Sequence, residues 1–138
     1  MRHITPPSVE LESMTPTDCL VFGSNLAGRH GAGCAKFCAT HLGAKYGQGE
    51  GDMGRCYALP TKDRNIETLP LDEIEQGVIR FLNYARHHPE KKFLVTPVGT
   101  GLAGYSVDEI APMFVNESIP DNVSLPAEFW ALSEGDVE

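Results

Sequence analysis

The sequence has little positive charge, no long apolar run and no export signal. Its 138 residues include 11 basic and 19 acidic side chains, giving a formal net charge of −8, and the longest basic run is the pair Lys91-Lys92. Nucleic acids and anionic membranes are bound by basic surfaces, so we expect neither partner. No segment approaches the ~18 apolar residues of a membrane-spanning helix, and the N-terminus lacks the apolar core of a secretion signal. The sequence predicts a cytoplasmic protein and leaves its oligomeric state open.

A cysteine framework is also lacking. The four cysteines, Cys19, Cys34, Cys38 and Cys56, lie in the first half of the chain. Without an export signal we expect reduced thiols rather than a disulfide framework. Cys34, Cys38 and His41 share a helical face, but a zinc site would need a second closely spaced ligand pair. The sequence therefore predicts small buried thiols, with no metal and no cofactor.

Glycine is the residue in excess. Nine of the 14 glycines fall within residues 23–54, where average usage of about 7% would give about two. Such crowding indicates loops that need bare backbone or positive φ. The nine are Gly23, Gly28, Gly31, Gly33, Gly43, Gly47, Gly49, Gly51 and Gly54.

Short apolar runs alternate with amphipathic segments. Strands are predicted at residues 19–22, 56–59, 93–96 and 122–125, and helices at about 35–42, 72–88 and 106–114. Asp72 with Glu75, and Ser106 with Glu109, have the spacing of capping boxes. This alternation predicts an α/β fold with a mostly parallel sheet and helices on both faces. Residues 18–138 form one domain in this prediction, and residues 1–17 form an N-terminal arm with at most one short strand, near residues 9–11.

Two glycine-rich loops lead from a predicted strand into a predicted helix, at residues 23–33 and 99–104. Ligands of parallel sheets bind beyond the carboxyl ends of the strands. Amides at a helix N-terminus attract phosphate, and glycine lets an anion approach them. Two such loops could hold a diphosphate from both sides. The alternative is that the glycines only form tight turns in a non-enzymatic interaction protein.

Gly99, Gly101 and Gly104 also have the spacing of the dinucleotide fingerprint. That motif normally opens a βαβ unit, with an acidic residue about 20 positions later at the end of the next strand. Asp121 lies 17 residues after Gly104 but precedes the last predicted strand. An NAD(P)-binding, Rossmann-like oxidoreductase is therefore kept as the alternative enzyme.

The two loops resemble those of macro domains. Asn25 followed by the run Gly31-Ala32-Gly33-Cys34-Ala35 is similar to the family's first loop, and residues 97–105 are similar to its second. The resemblance spans about residues 18–125. It implies a three-layer α/β/α macro domain-like fold that binds ADP-ribose. The first loop, with Ser24, Asn25, Gly31, Ala32 and Gly33, would lie near the distal ribose, and the second would surround the diphosphate with Val98, Gly99, Thr100, Gly101, Leu102, Ala103, Gly104 and Tyr105.

Residues 55–62 resemble the macro-domain branch that removes ADP-ribose from protein carboxylates through a lysine. By that resemblance Lys62 would attack the ribose carbon, with an acid in the second loop at the position of Ala103. Asp63 and Asp108 are other candidates for the acid, and His30, in the first glycine loop, is a candidate for acid–base chemistry. The resemblance thus implies either a reader of ADP-ribose or a hydrolase of protein-linked ADP-ribose or ADP-ribose-1″-phosphate.

Overall fold

A six-stranded sheet forms the centre of the structure. The computed structural model describes residues 2–101 and 103–136, and describes side chains through residue 132. The strands lie in the order β1-β6-β5-β2-β4-β3, and β3 is the antiparallel one. Their bounds are β1 His3–Thr5, β2 Asp18–Asn25, β3 Gly51–Asp52, β4 Cys56–Lys62, β5 Lys92–Val95 and β6 Val123–Pro126.

Helices cover both faces of the sheet, as the sequence predicts. Side chains alternate along β2: Leu20 and Phe22 pack with α1, while Cys19 and Val21 pack with α2, α3 and α4. The two apolar clusters make an α/β fold with a mostly parallel sheet between helical layers. No helix in the described residues is long and apolar enough to cross a membrane. The helices are α1 Gly33–His41, α2 Leu71–Arg86, α3 Val107–Val115 and α4 Ala127–Asp136.

The central strands extend beyond their predicted ends. β2 continues through Gly23 to Asn25, and β4 continues through Pro60 to Lys62. Pro60 lies past the two β4 residues that pair with β3, so its missing amide proton removes no bond to that strand. The extension matters because Asn25 and Lys62 become register partners at the carboxyl edge of the sheet.

The N-terminal arm carries its strand earlier than predicted. Residues 3–5, rather than 9–11, form the edge strand, and Ile4 pairs in parallel with Leu125. The buried Trp130 of α4 donates from Nε1 to the His3 carbonyl at 2.8 Å. Phe129 and Trp130 are buried and dock α4 against the core, and the sequence pattern does not indicate this helix.

One predicted capping box forms and the other does not. The Glu109 carboxylate accepts from the Ser106 amide at 2.9 Å and from its hydroxyl at 3.1 Å, which fixes the start of α3. α2 instead follows Pro70 and has no side-chain cap, so the box of Asp72 and Glu75 is wrong. Asp72 lies inside the first turn, where its charge still favours the helix dipole.

Candidate functional site

A cleft of about 540 Å³ opens where β2, β4 and β5 end. We call it the main cleft. It lies at the sheet edge where parallel sheets bind ligands, and its volume is typical of small-molecule sites. Both glycine loops contribute to its walls. The lining residues are Gly23, Ser24, Asn25, Arg29, Gly31, Ala32, Gly33, Cys34, Ala35, Thr61, Lys62, Ile66, Thr96, Pro97, Val98, Gly99, Gly101 and Ala103.

Asn25 braces the first loop from within. Its Nδ2 donates to the Arg29 carbonyl at 2.9 Å, and its Oδ1 accepts from the Arg29 amide at 3.0 Å. One amide proton and one lone pair remain, because a carboxamide offers two donors and two acceptor sites. Asn25 therefore shapes the loop and keeps hydrogen-bonding capacity at the wall of the main cleft.

The crowded glycines support this loop through close backbone contact. A Cβ on Gly49 would lie 2.3 Å from the Asn25 carbonyl oxygen, and one on Gly28 would lie 2.4 Å from the Gln48 nitrogen. The Ser24 hydroxyl also donates to the Gly49 carbonyl. Residues 43–54 thus back the first loop, a role beyond the tight turns that glycine crowding indicates.

His30 belongs to the same support. Its side chain is 3% exposed, and Nε2 lies 3.0 Å from the carbonyls of both Lys45 and Gln48. Two carbonyl acceptors require the proton on Nε2. His30 ties the first loop to residues 43–54; it does not line the main cleft and has no access to a ligand there.

α1 presents an open N-terminus to the main cleft. Its N-cap, Ala32, makes no side-chain hydrogen bond, and no acidic residue lies in its first turn. The first-turn residues Gly33, Cys34 and Ala35 line the main cleft. Their amides and the positive end of the helix dipole form a site that favours an anion.

α3 offers no such end, which differs from the sequence-based expectation for the second loop. The Glu109 carboxylate caps its N-terminus, and Asp108 adds a second acid in the first turn. Neither residue lines the main cleft. A diphosphate held in the manner of a dinucleotide fingerprint would meet carboxylates here, so α1 is the better anion site.

The second loop instead contributes bare backbone. Of its predicted ligand contacts, Val98, Gly99, Gly101 and Ala103 line the main cleft. Gly99 has φ +79°, and a Cβ there would lie 2.9 Å from Ile110 Cδ1, so only glycine fits without rearrangement.

Three residues of that loop serve its own structure. The Thr100 hydroxyl donates to the Pro97 carbonyl at 2.8 Å, and Gly104 adopts φ +88° in the turn. Tyr105 packs against the core and donates from its hydroxyl to the Leu69 carbonyl at 2.8 Å. None of the three lines the main cleft. Leu102 lies outside the described residues.

The charged groups of the main cleft are cations. Arg29 and Lys62 line it, and neither forms an ion pair with a described residue. No carboxylate occurs among the described lining residues. Asp63 is engaged elsewhere, because its Oδ1 accepts from the amides of Asn65 and Glu67 at 2.8 and 3.0 Å. A protein of net charge −8 thus keeps this cleft free of its own carboxylates in the part of the chain described.

Ile66 is a lining residue that the sequence does not single out. Its φ is +64°, a conformation that β-branched residues rarely adopt. It is 37% exposed and reaches the main cleft from the loop after β4. The only sequence signal is an apolar side chain alone among polar neighbours. Arg29, Cys34, Thr61 and Thr96 also line this cleft and were not among the predicted ligand contacts.

A second cavity, of about 470 Å³, adjoins the first. We call it the apolar cavity. It shares Gly33, Cys34, Thr96 and Pro97 with the main cleft. Thr5 also lines it, and the Thr5 Oγ1 is fully buried with no hydrogen-bond partner among the described residues. The other lining residues are Ile4, Pro6, Pro7, Val9, Leu20, Phe37, Pro126, Ala127 and Glu128.

The apolar cavity depends on the N-terminal arm, whose contribution to a site is not visible in the sequence. β1 places residues 4–7 beside the end of β6. The cavity is thus made by segments from the two ends of the chain together with α1. No motif marks it, because its apolar residues are spread over the whole sequence.

Comparison of the sequence with models of protein families gives no match, and comparison with curated proteins gives none either.

Proposed function

We propose that this protein is macro domain-like and binds ADP-ribose or a close derivative. The observation that carries the proposal is the open N-terminus of α1 in a cleft with two cations that form no ion pair with a described residue. An anion is favoured there by the first-turn amides, by Arg29 and by Lys62. The described lining residues include no carboxylate to oppose it.

The ligand's three parts match three parts of the site. The diphosphate fits between the start of α1 and the backbone of the second loop, because both offer close approach without side chains. The distal ribose fits beside Asn25, whose free donor and acceptor capacity suits hydroxyl groups. The base fits the apolar cavity, which shares residues with the main cleft and is lined mostly by apolar side chains.

Binding is supported more strongly than turnover. Lys62 lies in the main cleft and has no ion-pair partner among the described residues, so its amine can meet a ligand. A lysine nucleophile also needs a group that transfers protons. Ala103 supplies none, the Asp63 carboxylate is bonded to backbone amides, and Asp108 lies outside this cleft. We therefore propose a reader and treat hydrolysis as the second outcome of the tests.

Calorimetric titration tests the binding proposal. We expect ADP-ribose to bind more tightly than AMP or ribose 5-phosphate, because it alone fills both cavities. NAD should bind more weakly than ADP-ribose, whereas a dinucleotide-dependent oxidoreductase would bind NAD at least as well. The absence of heat and of a thermal shift with millimolar ADP-ribose would refute the proposal.

Gly101 permits a variant that alters the cleft without disturbing the fold. A Cβ there meets no atom within 4 Å, and its φ is not in the left-handed region. We expect Gly101→Glu to weaken ADP-ribose binding at least about tenfold through bulk and like charge. Gly101→Gln, of equal size, should lose less. Equal affinities of Gly101→Glu and wild type would contradict a diphosphate site at this loop.

Asn25→Ala should weaken binding and also lower the free energy of unfolding by about 1–2 kcal/mol, because it removes both bonds to Arg29. Comparison of affinity and denaturant unfolding separates the two effects. An unchanged affinity in the folded variant would remove Asn25 from the proposed ribose site.

Turnover is tested with ADP-ribosylated protein and with ADP-ribose-1″-phosphate as substrates. A reader leaves both intact at enzyme concentrations that saturate them. Release of ADP-ribose that Lys62→Ala abolishes would instead establish a lysine-dependent hydrolase.

A further inference from the structure

Ile66 is a large apolar residue that neither the core nor its own turn accounts for. It belongs to neither apolar cluster of the described residues, and it is 37% exposed. Its φ of +64° is unfavourable for a β-branched side chain, whereas glycine would form the same turn without that penalty. The choice of isoleucine points instead to a contact in the main cleft, which Ile66 lines.

The loop that carries Ile66, residues 63–67, is held from both sides. The Asp63 carboxylate accepts from two amides of this loop, and the Asp63 carbonyl accepts from the Ile66 amide at 3.1 Å. Just after the loop, the Thr68 hydroxyl donates to the Ala103 carbonyl of the second loop at 2.9 Å. The surrounding structure thus fixes the backbone of Ile66 without the help of a ligand.

The strand order separates Ile66 from the apolar cavity. That cavity has walls from β1 and from the end of β6, whereas Ile66 follows β4, and β5 and β2 lie between them. The residues shared by the two cavities lie at the start of α1 and directly after β5. A ligand with its base in the apolar cavity and its diphosphate beside α1 therefore brings its distal group to the ends of β2 and β4, where Asn25 and Lys62 are register partners.

Ile66 offers apolar surface at this end of the main cleft. It has the largest apolar side chain among the described lining residues, and the side chain of Val98 in the same lining is buried. Asn25 offers hydrogen-bonding capacity close by. A pentose ring has C–H faces and hydroxyl edges, so it matches a site that combines apolar and polar groups. A ligand that ends at its second phosphate would leave Ile66 in water.

We propose that Ile66 is a specificity-determining residue that makes this site select ligands with a neutral sugar beyond the diphosphate. Its side chain packs on the C–H face of that sugar, and the contact removes apolar surface of both groups from water. The contact adds affinity for ADP-ribose and none for ADP, which lacks the distal ribose. This selectivity rests on the proposed function, because it requires a diphosphate ligand in the main cleft.

Calorimetric titration of Ile66→Ala with ADP-ribose and with ADP tests the contact. We expect ADP-ribose to bind about tenfold more weakly than to wild type, because most of the apolar side chain is lost, and the affinity for ADP to change by less than about twofold. Equal losses for the two ligands, or no loss for either, would overturn the role of Ile66 while leaving the proposed function in place. Failure of the wild type to bind ADP-ribose would refute the proposed function and, with it, this role.

Two further variants separate the contact from an effect on folding. Ile66→Gly relieves the unfavourable φ, so it should be more stable than Ile66→Ala and still bind ADP-ribose about tenfold more weakly than wild type. Leu26→Ala is the matched control, because Leu26 is also 37% exposed but does not line the main cleft. It should keep the wild-type affinity for both ligands. Wild-type affinity of Ile66→Gly for ADP-ribose, or a loss in Leu26→Ala equal to that in Ile66→Ala, would also overturn the role.

Discussion

One residue that lines the main cleft has an unfavourable backbone conformation. Ile66 is the one non-glycine residue at positive φ among the described residues. The loop is fixed around it, because Asp63 accepts from the amides on both sides of Ile66. Backbone strain of this kind persists where the surrounding structure determines it, and it concentrates at functional sites.

Two substitutions test that strain. Glycine relieves the penalty of about 1–2 kcal/mol for a left-handed L-residue, and alanine keeps it. We expect Ile66→Gly to exceed Ile66→Ala in free energy of unfolding by about 0.5–1 kcal/mol, after the entropic cost of glycine. Denaturant unfolding measures both. The usual order, with alanine the more stable, would show that Ile66 carries no strain.

Two glycines in residues 43–54, the segment that backs the first loop, offer a second comparison. Gly49 has no positive φ but touches the backbone of Asn25 and Leu26, whereas Gly47 has φ +96° and an open Cβ position. We expect Gly49→Ala to lower the free energy of unfolding by about 2–4 kcal/mol through overpacking. Gly47→Ala should lower it by about 1–2 kcal/mol through backbone strain. Thermal unfolding ranks them. Equal losses of stability would mean that residues 43–54 and the first loop can move apart with little loss of free energy.

At the scale of elements, the two glycine loops look alike in sequence and differ in structure. Both join a strand to a helix, but α1 begins without a side-chain cap and α3 begins with Glu109 on the Ser106 amide. A capping box satisfies the amides that would otherwise bind an anion. The Ser106–Glu109 box was predicted from spacing, and its consequence is that the second loop contributes backbone without a helix terminus.

Substitutions of Glu109 test whether this cap contributes to stability without contributing to binding. We expect Glu109→Ala to lower the free energy of unfolding by about 1 kcal/mol, and Glu109→Gln, which keeps an acceptor oxygen, to lose less. ADP-ribose affinity should stay unchanged in both, because the first turn of α3 does not line the main cleft. A large loss of affinity in Glu109→Ala would indicate that ligand reaches α3.

Across the whole molecule, an ion pair at the opposite edge of the sheet joins distant parts of the chain. Asp52 Oδ2 accepts from Lys91 Nζ and from the Tyr84 hydroxyl, each at 2.5 Å, and Asp52 Oδ1 accepts from the Gly54 amide at 2.6 Å. These groups lie in β3, in α2 and in the segments before β4 and β5. Burial opposes ionisation of Asp52, but the bonds from Lys91, Tyr84 and Gly54 outweigh it and hold the pKa of Asp52 below its ordinary value.

The depressed pKa of Asp52 makes the stability of the fold depend on pH. A carboxyl with a depressed pKa in the folded state stabilises the protein above its unfolded pKa, near 4, and this contribution disappears as pH falls through the folded value. We expect Asp52→Asn to lower the free energy of unfolding by about 1–3 kcal/mol at pH 7. The loss should become progressively smaller below about pH 4. Denaturant unfolding between pH 3 and 7 measures this.

Glu75→Gln is the matched control. Glu75 is exposed and has no partner among the described residues, so its substitution should leave the pH dependence as in wild type. A constant difference between Asp52→Asn and wild type across the pH range would contradict the role assigned to Asp52.

The sequence by itself determined the fold class, three of the four helices and the positions of the two glycine loops at the ends of strands. These features depend on local patterns: apolar periodicity, glycine position and capping spacing. The apolar cavity, the strained Ile66, the support of the first loop by residues 43–54 and the exposure of Cys34 alone among the cysteines were decided by tertiary structure. Each requires segments far apart in the chain to meet, and no local pattern records which segments do so. The same reason explains Tyr105 and His30, whose residue types suit a ligand while their partners in the folded chain are backbone carbonyls.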